Sequence, residues 1–145
     1  MEILISELLS GDKDVQSFKE KEWQIADLEH YGRDVDLQRR DYEFCARSED
    51  GDVLGVVEMN VQGDLANITT LLVNSQKRKM GVGRALMEKA EKLAVGKGCK
   101  KIWLETNEGW GAEYFYAKLG YEIEAKLERH IFNQNSLIFV KFLGS

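Results

Sequence analysis

Three basic side chains, Lys77, Arg78 and Lys79, stand directly before Met80-Gly81-Val82-Gly83-Arg84 in this chain of 145 residues. The apolar run Ile68 to Val73 precedes them and an amphipathic stretch follows. A strand that ends in a basic, glycine-bearing turn at a helix start is an arrangement suited to holding a pyrophosphate. The first amide groups of a helix have no partner within it, and the helix dipole adds roughly half a positive charge there. Glycine lets the backbone approach an anion closely, while lysine and arginine supply mobile charge. Spacing separates the versions of such a site. The dinucleotide fingerprint G-x-G-x-x-G needs a third glycine where this chain has Leu86. The phosphate loop G-x-x-x-x-G-K-S/T fails outright, because no Gly-Lys-Ser or Gly-Lys-Thr follows.

What remains is Arg78-x-x-Gly81-x-Gly83 behind a strand end at Val73, and a second block further on, Ala112-Glu-Tyr-Phe115-Tyr116-Ala-Lys118-Leu-Gly120-Tyr121. The first resembles the acetyl-CoA signature R/Q-x-x-G-x-G/A of the GCN5-related N-acetyltransferase (GNAT) family. The second resembles that family's later motif, A-x-x-F-Y-x-K-x-G-F/Y. The two occur in the family's order, and the resemblance covers roughly residues 52–142.

The resemblance implies acetyl-CoA as cofactor and direct acetyl transfer to a primary amine, without a covalent acyl-enzyme. Backbone groups of Leu71, Leu72 and Val73 would pair with the pantetheine arm as an added strand does. Lys79, Met80, Gly81, Val82, Gly83 and Arg84 would cradle the pyrophosphate, with Arg78 at the motif's basic position. Tyr116 matches the tyrosine that gives a proton to the departing sulfur. A phenol, with an ordinary pKa of about 10, is protonated at neutral pH and suits that task. An alkyl ammonium must lose a proton before attack, so a base is also needed. Glu105 resembles the base position of the ribosomal-protein alanine acetyltransferases, although it lies one residue nearer to Tyr116 than there. Glu58 is the alternative, and either reads equally well as a solvated strand carboxylate. Many family members carry an asparagine where this chain has Gly109, with Asn107 nearby. Trp110 either lines an acceptor pocket or plugs the edge of the core. His30 and His130 show no nucleophilic-triad pattern, and His130 lies on the acceptor side or simply at the surface. The expected acceptor is a small-molecule amine. A protein N-terminus or lysine, or a catalytically silent CoA-binding regulatory module, is the alternative.

Composition agrees with one globular domain, 1–145. Hydrophobic residues make up 43% and charged residues 31%, enough for a core and a solvated surface. No run approaches a membrane span, the start lacks a cationic signal, and a cytoplasmic protein without membrane attachment is expected. Cys45 and Cys99 make neither a disulfide framework nor a zinc site, so no metal is expected and both read as buried thiols. Residues 1–70 carry 7 basic and 17 acidic side chains, whereas residues 71–145 carry 13 basic and 8 acidic. The basic half suits a phosphate-bearing cofactor. The acidic half suits a cationic amine or serves solubility, and nucleic acid is disfavoured as a partner.

The positioning elements follow from periodicity and turn residues. Glu2 to Glu7 alternates as a first strand, and Asp12 to His30 has a helical pattern with Val15, Phe18, Trp23, Ile25 and Leu28 on its apolar face. Gly32 to Arg40 is charged and reads as a loop or a short helical turn. Strands are expected over Tyr42–Ala46, Val53–Val61 and Ala66–Val73, joined by turns at Asp50-Gly51 and Gln62-Gly63-Asp64. A helix over Gly83–Val95 would bury Leu86, Ala90, Leu93 and Ala94 and turn Glu88, Lys89, Glu91 and Lys92 to water, with Gly96 and Gly98 stopping it. Strand Lys101–Glu105 must run parallel to its predecessor, because a helix crosses between them. A short helix over Gly111–Leu119 and a hairpin of Tyr121–Phe132 with Leu137–Phe142 complete the chain. The expected fold is α/β, a mixed twisted sheet of about seven strands with helices on both faces. The last hairpin offers an edge for a homodimer.

Overall fold

A computed structural model describes residues 1–78 and 80–144, which fall into two compact units, Met1–Asp36 and Leu37–Ser145. The first unit is built on one helix, α1 (Lys13–Tyr31), capped at both ends. Asp12 accepts the Val15 amide at 3.1 Å, and the Gly32 amide returns to the Leu28 carbonyl at 3.0 Å. The helical reading of this stretch holds, yet α1 buries none of its residues, and Phe18, Trp23 and Leu28 are exposed. The strand expected over Glu2–Glu7 does not form. Alternating apolar residues describe one face of a strand, but a strand exists through its ladder, and no ladder includes these residues.

The second unit is a sheet with two helices. Its strands are β1 (Arg40–Arg47), β2 (Val53–Gln62), β3 (Leu65–Val73), β4 (Lys101–Asn107), β5 (Glu122–Leu127) and β6 (Ser136–Phe142), in the order β1-β2-β3-β4-β6-β5. The sheet is mixed, as expected, with six strands rather than about seven among the described residues. Only β3 and β4 are parallel, because α2 (Val82–Gly96) crosses between them. The last strand pair is also shorter than its apolar pattern. Strand β5 stops at Leu127, and Arg129, Phe132 and Asn133 have φ of 50°, 54° and 61°, a backbone that no ladder accepts.

Alternation sorts the strand residues between the two faces. Val57, Met59 and Val61 of β2, Ala66 and Ile68 of β3, and Ile102 and Leu104 of β4 are buried on the face that carries α2. From α2 itself Leu86, Met87, Ala90 and Ala94 close this core. Helix α3 (Ala112–Lys118) joins the same face through Tyr116, which packs on Phe139 at 5.6 Å between ring centroids. Cys99 is buried as expected. Cys45 is exposed instead, since it alternates with the half-buried Phe44 and Ala46 on an edge strand. No helix among the described residues is long and apolar enough to cross a membrane.

Gly55 fixes how closely α2 approaches β2. A Cβ there would stand 2.7 Å from the Leu72 carbonyl oxygen and 3.1 Å from both Leu86 and Val82. Gly55→Val is therefore expected to lower stability by about 1–3 kcal/mol through overpacking. Urea unfolding would show this as a lower midpoint with an unchanged slope.

Candidate active site

The parallel pair opens. Strand β3 reaches Val73 and β4 reaches Asn107, but their ladder joins only Leu65–Ile68 to Lys101–Leu104. Beyond it, Thr70 to Val73 stay paired with β2, and Glu105 to Asn107 stay paired with β6. A β-bulge starts the divergence. Glu58 lies opposite Thr70 while Met59 lies opposite Ile68, so Thr69 is an extra residue in β3, its hydroxyl 3.4 Å from the Glu58 carbonyl. Bulges bend a strand and increase its twist. The result is a gap in mid-sheet whose β3 wall, Leu71, Leu72 and Val73, is not laddered to β4. These are the three residues that the family resemblance implies would pair with an extended ligand.

The end of β3 feeds the expected anion site. A 3-10 turn over Ser75–Lys77 is capped by Asn74, whose side chain accepts the Gln76 amide at 2.9 Å. Arg78 follows, extended and exposed. Lys79 lies outside the described residues. Met80 is exposed, and Gly81 caps α2 in the left-handed region at φ 81°. Among the described residues no side chain bonds to the open end of α2, and its first turn holds no acidic residue. The amides of Val82, Gly83 and Arg84 have no partner among the described residues, while the next amide, Ala85, returns to the Gly81 carbonyl at 3.0 Å. The Arg84 side chain instead pairs along the helix with Glu88 at 3.1 Å. The two glycines do different work. A Cβ on Gly81 would meet nothing within 4 Å, whereas one on Gly83 would stand 3.2 Å from the Phe115 ring. Gly81 serves the turn and its open face; Gly83 lets α3 approach α2.

Tyr116 is 8% exposed, packed edge-on against Phe115 and Tyr121 at 5.0 and 5.8 Å. Burial pushes its phenol above the ordinary value, which keeps it a proton donor. Its hydroxyl makes no hydrogen bond among the described residues and is not a sealed orphan. Behind it lies a polar clamp absent from the sequence reading. Glu91, expected to face water, accepts the Tyr121 hydroxyl at 2.9 Å and the Lys141 ammonium at 3.2 Å. Lys141 also donates to the Leu119 carbonyl at 2.8 Å, where α3 ends. Burial first, and the Glu91 charge second, drive the Tyr121 phenol strongly upward. A seven-residue helix has little stability of its own, so these bonds and the ring contacts hold α3 in place. Glu91→Ala should lower stability by about 1–3 kcal/mol by leaving Lys141 half-buried without its carboxylate; thermal unfolding measures it.

The carboxylates lie on the other face. Glu105 alternates with the buried Leu104, so it points away from the helices at the rim of the gap, and Glu58 alternates with Val57 and Met59 on β2. Two strand spacings, about 10 Å or more, separate β2 from β4, so Glu58 and Glu105 share a face without meeting. Glu58 borders an open cleft of about 410 Å³ with Arg39, Asp41, Glu43 and Thr69. Glu105 has a partner that the sequence did not reveal as one: the His130 Nε2 lies 3.6 Å from its carboxylate. Asn107 bonds to the Gln134 side chain at 2.9 Å, and the Gly109 amide to Glu113 at 2.7 Å. That amide bond holds the Glu113 carboxyl below its ordinary value. Trp110 is 71% exposed and does not plug the core.

Comparison with known proteins places this geometry. The family model described as acetyltransferase (GNAT) family matches residues 7–121. Acetyltransferase plu1384 of Photorhabdus laumondii is 33% identical over 83% of this chain and 84% of its own length. YdhI of Bacillus subtilis is 32% identical over 57% of the chain, and the chain spans only about half, 51%, of that protein. Among solved structures, an acetyltransferase from Bacillus cereus shares the fold at a TM-score of 0.73 and 22% identity, covering 95% of this chain and 98% of that one. An aminoglycoside 6'-N-acetyltransferase complexed with coenzyme A shares it at 0.66 and 19%, covering 72% and 74%. With a family model across most of its length and a named acetyltransferase aligned to five-sixths of it, this chain belongs to the acetyltransferase (GNAT) family.

Proposed function

We propose that the chain is an acetyl-CoA-dependent N-acetyltransferase that passes the acetyl group directly to a primary amine of a small molecule, with residues 1–145 acting as one domain. The observation that carries this reading is the gap between β3 and β4, opening beside an α2 N-terminus that no side chain caps among the described residues. The residues fit the cofactor. Leu71 to Val73 offer a free strand edge for its amide-bearing arm, and the amides of Val82 to Arg84 together with Arg78 offer the anion site. When bound, it supplies an acetyl thioester. A coenzyme A complex in an enzyme of the same fold supports the choice of carrier. The family match runs across both compact units, which supports treating them as one functional domain.

The gap joins two faces with different equipment. Tyr116, on the helical face, holds a proton for the leaving sulfur. Glu105, on the other face, lies where the amine's proton must depart, and its rim position makes it a better candidate than Glu58. Glu58 instead borders the cleft with Glu43 and with Asp41, which pairs with Arg39 at 3.4 Å. Three carboxylates around a cleft that reaches Thr69, where β3 leaves the ladder, favour a cationic acceptor.

Thiol release from acetyl-CoA in the presence of polyamines, amino acids and aminoglycosides tests the reading. Turnover with one class names the acceptor. Calorimetric binding of coenzyme A without release across the whole panel would leave a regulatory module, and no binding at all would refute the site.

A further inference from the structure

We propose that His130 is the general base of this site and that Glu105 orients it. This rests on the acetyl-transfer reading above and replaces the direct role given there to Glu105 with one exerted through His130. Among the described residues, non-glycine backbone with positive φ occurs only at Arg129, Phe132 and Asn133, the residues around His130. Such conformations cost energy in L-residues and persist where surrounding contacts enforce them.

The contacts are present and lead to β4. Asn135 accepts the Arg129 amide through its side chain at 3.1 Å, and its carbonyl accepts the Glu108 amide at 2.9 Å. The His130 amide bonds to the Gln134 carbonyl at 2.8 Å, while the Gln134 side chain is held by Asn107 at 2.9 Å. The loop between β5 and β6 is thus closed on itself through Gln134 and Asn135, which also tie it to the segment just after Glu105. What the tie achieves is one juxtaposition, the His130 Nε2 at 3.6 Å from the Glu105 carboxylate at the rim of the gap. The other charged groups of this region are Arg129 and Glu128 beside His130 in the chain, and Lys126 with Glu108, which pair with each other at 3.1 Å. Glu105 is therefore the carboxylate that His130 faces.

A proton on Nε2, 3.6 Å from the Glu105 carboxylate, would leave the lone pair of Nδ1 to accept another, the relation in which a carboxylate favours one imidazole tautomer. An N–H bond of the acceptor ammonium breaks and its proton passes to Nδ1, directly or through one water. The nitrogen pair released in this way attacks the thioester carbon. The C–S bond breaks, and the sulfur takes the Tyr116 proton. The nitrogen's second proton restores Tyr116 through solvent, and the imidazolium, beside a carboxylate and 41% exposed, returns its proton to water. Ammonium and thioester give amide, thiol and one proton.

The test compares two acceptors in thiol release: spermidine, which is protonated at neutral pH, and hydroxylamine, which is already uncharged. In His130→Gln, kcat/KM with spermidine is expected to fall about a hundredfold, while the hydroxylamine rate and coenzyme A affinity stay within about threefold. Glu105→Gln should give the same pattern with a smaller loss. Equal losses with both acceptors, or no loss with spermidine, would overturn the assignment. Nitrogen-15 shifts of the His130 ring give a readout that needs no turnover: a protonated Nε2 and bare Nδ1 support the pairing, and the opposite tautomer refutes it. Wild-type protein that releases thiol with neither amine would count against acetyl transfer itself, and the ring shifts would still decide the pairing.

Discussion

Tyr116→Phe should slow turnover about a hundredfold or more and leave coenzyme A affinity within about twofold. The substitution removes one oxygen and keeps the ring, so the contacts with Phe115, Tyr121 and Phe139 survive. The hydroxyl has no partner among the described residues whose loss would disturb the fold. A drop in rate would therefore report the lost proton donor. The pH profile carries a second, signed expectation. Burial raises the Tyr116 pKa above the ordinary value of about 10, so the donor form is complete at every pH below that. The phenol should contribute no alkaline decline in rate below about pH 10. The same shift contributes stability that is present below the unfolded value of about 10 and is lost as pH rises through the folded one. Steady-state rates for the two proteins with one acceptor, alongside calorimetric titration with coenzyme A, make the measurement. Equal rates would show that Tyr116 is only a core aromatic.

How much of this was legible in the chain depended on how local each cause is. The hairpin β1–β2–β3 could be read because alternation and turn glycines act over a few residues. The glycine-bearing entry to α2 could be read because its glycines, basic residues and strand end are contiguous. What failed had partners elsewhere. Glu2–Glu7 alternates as strands do, but a ladder needs a neighbour that alternation cannot supply. Glu91 sits among Glu88, Lys89 and Lys92 in what reads as a solvated face, and the lysine that buries it is Lys141, 50 residues on. The pairing of His130 with Glu105 was equally hidden, since it depends on a loop whose left-handed residues include Phe132, a type that gives no warning of such backbone. The gap itself was available only through resemblance, because nothing in Ile68-Thr69-Thr70 announces a bulge. Glu58 and Glu105, indistinguishable as strand carboxylates, separate once the register places one in a cleft and the other on the rim.

Gly81→Asp should weaken coenzyme A binding a hundredfold or more while the protein stays folded. Gly81 is the better probe of the anion site than Gly83, because a side chain at Gly83 would push on Phe115 at 3.2 Å and disturb α3 whatever the ligand does. At Gly81 the space is open, and the cost is conformational: φ is 81°, and left-handed backbone costs most residues about 1–2 kcal/mol, aspartate and asparagine less than others. Gly81→Asn therefore carries the same strain and nearly the same shape without the charge. A carboxylate at the mouth of α2 would compete for the amides of Val82 to Arg84 and repel a diphosphate brought there. The aspartate variant should then bind far more weakly than the asparagine variant, by about 2.7 kcal/mol for a hundredfold difference. Part of that difference should vanish in high salt, where exposed charges are screened. Calorimetry at two ionic strengths, with circular dichroism to verify folding, reads all three quantities. Aspartate and asparagine variants that bind equally well would place the phosphates away from this helix, and with them the carrier that the gap between β3 and β4 is proposed to hold.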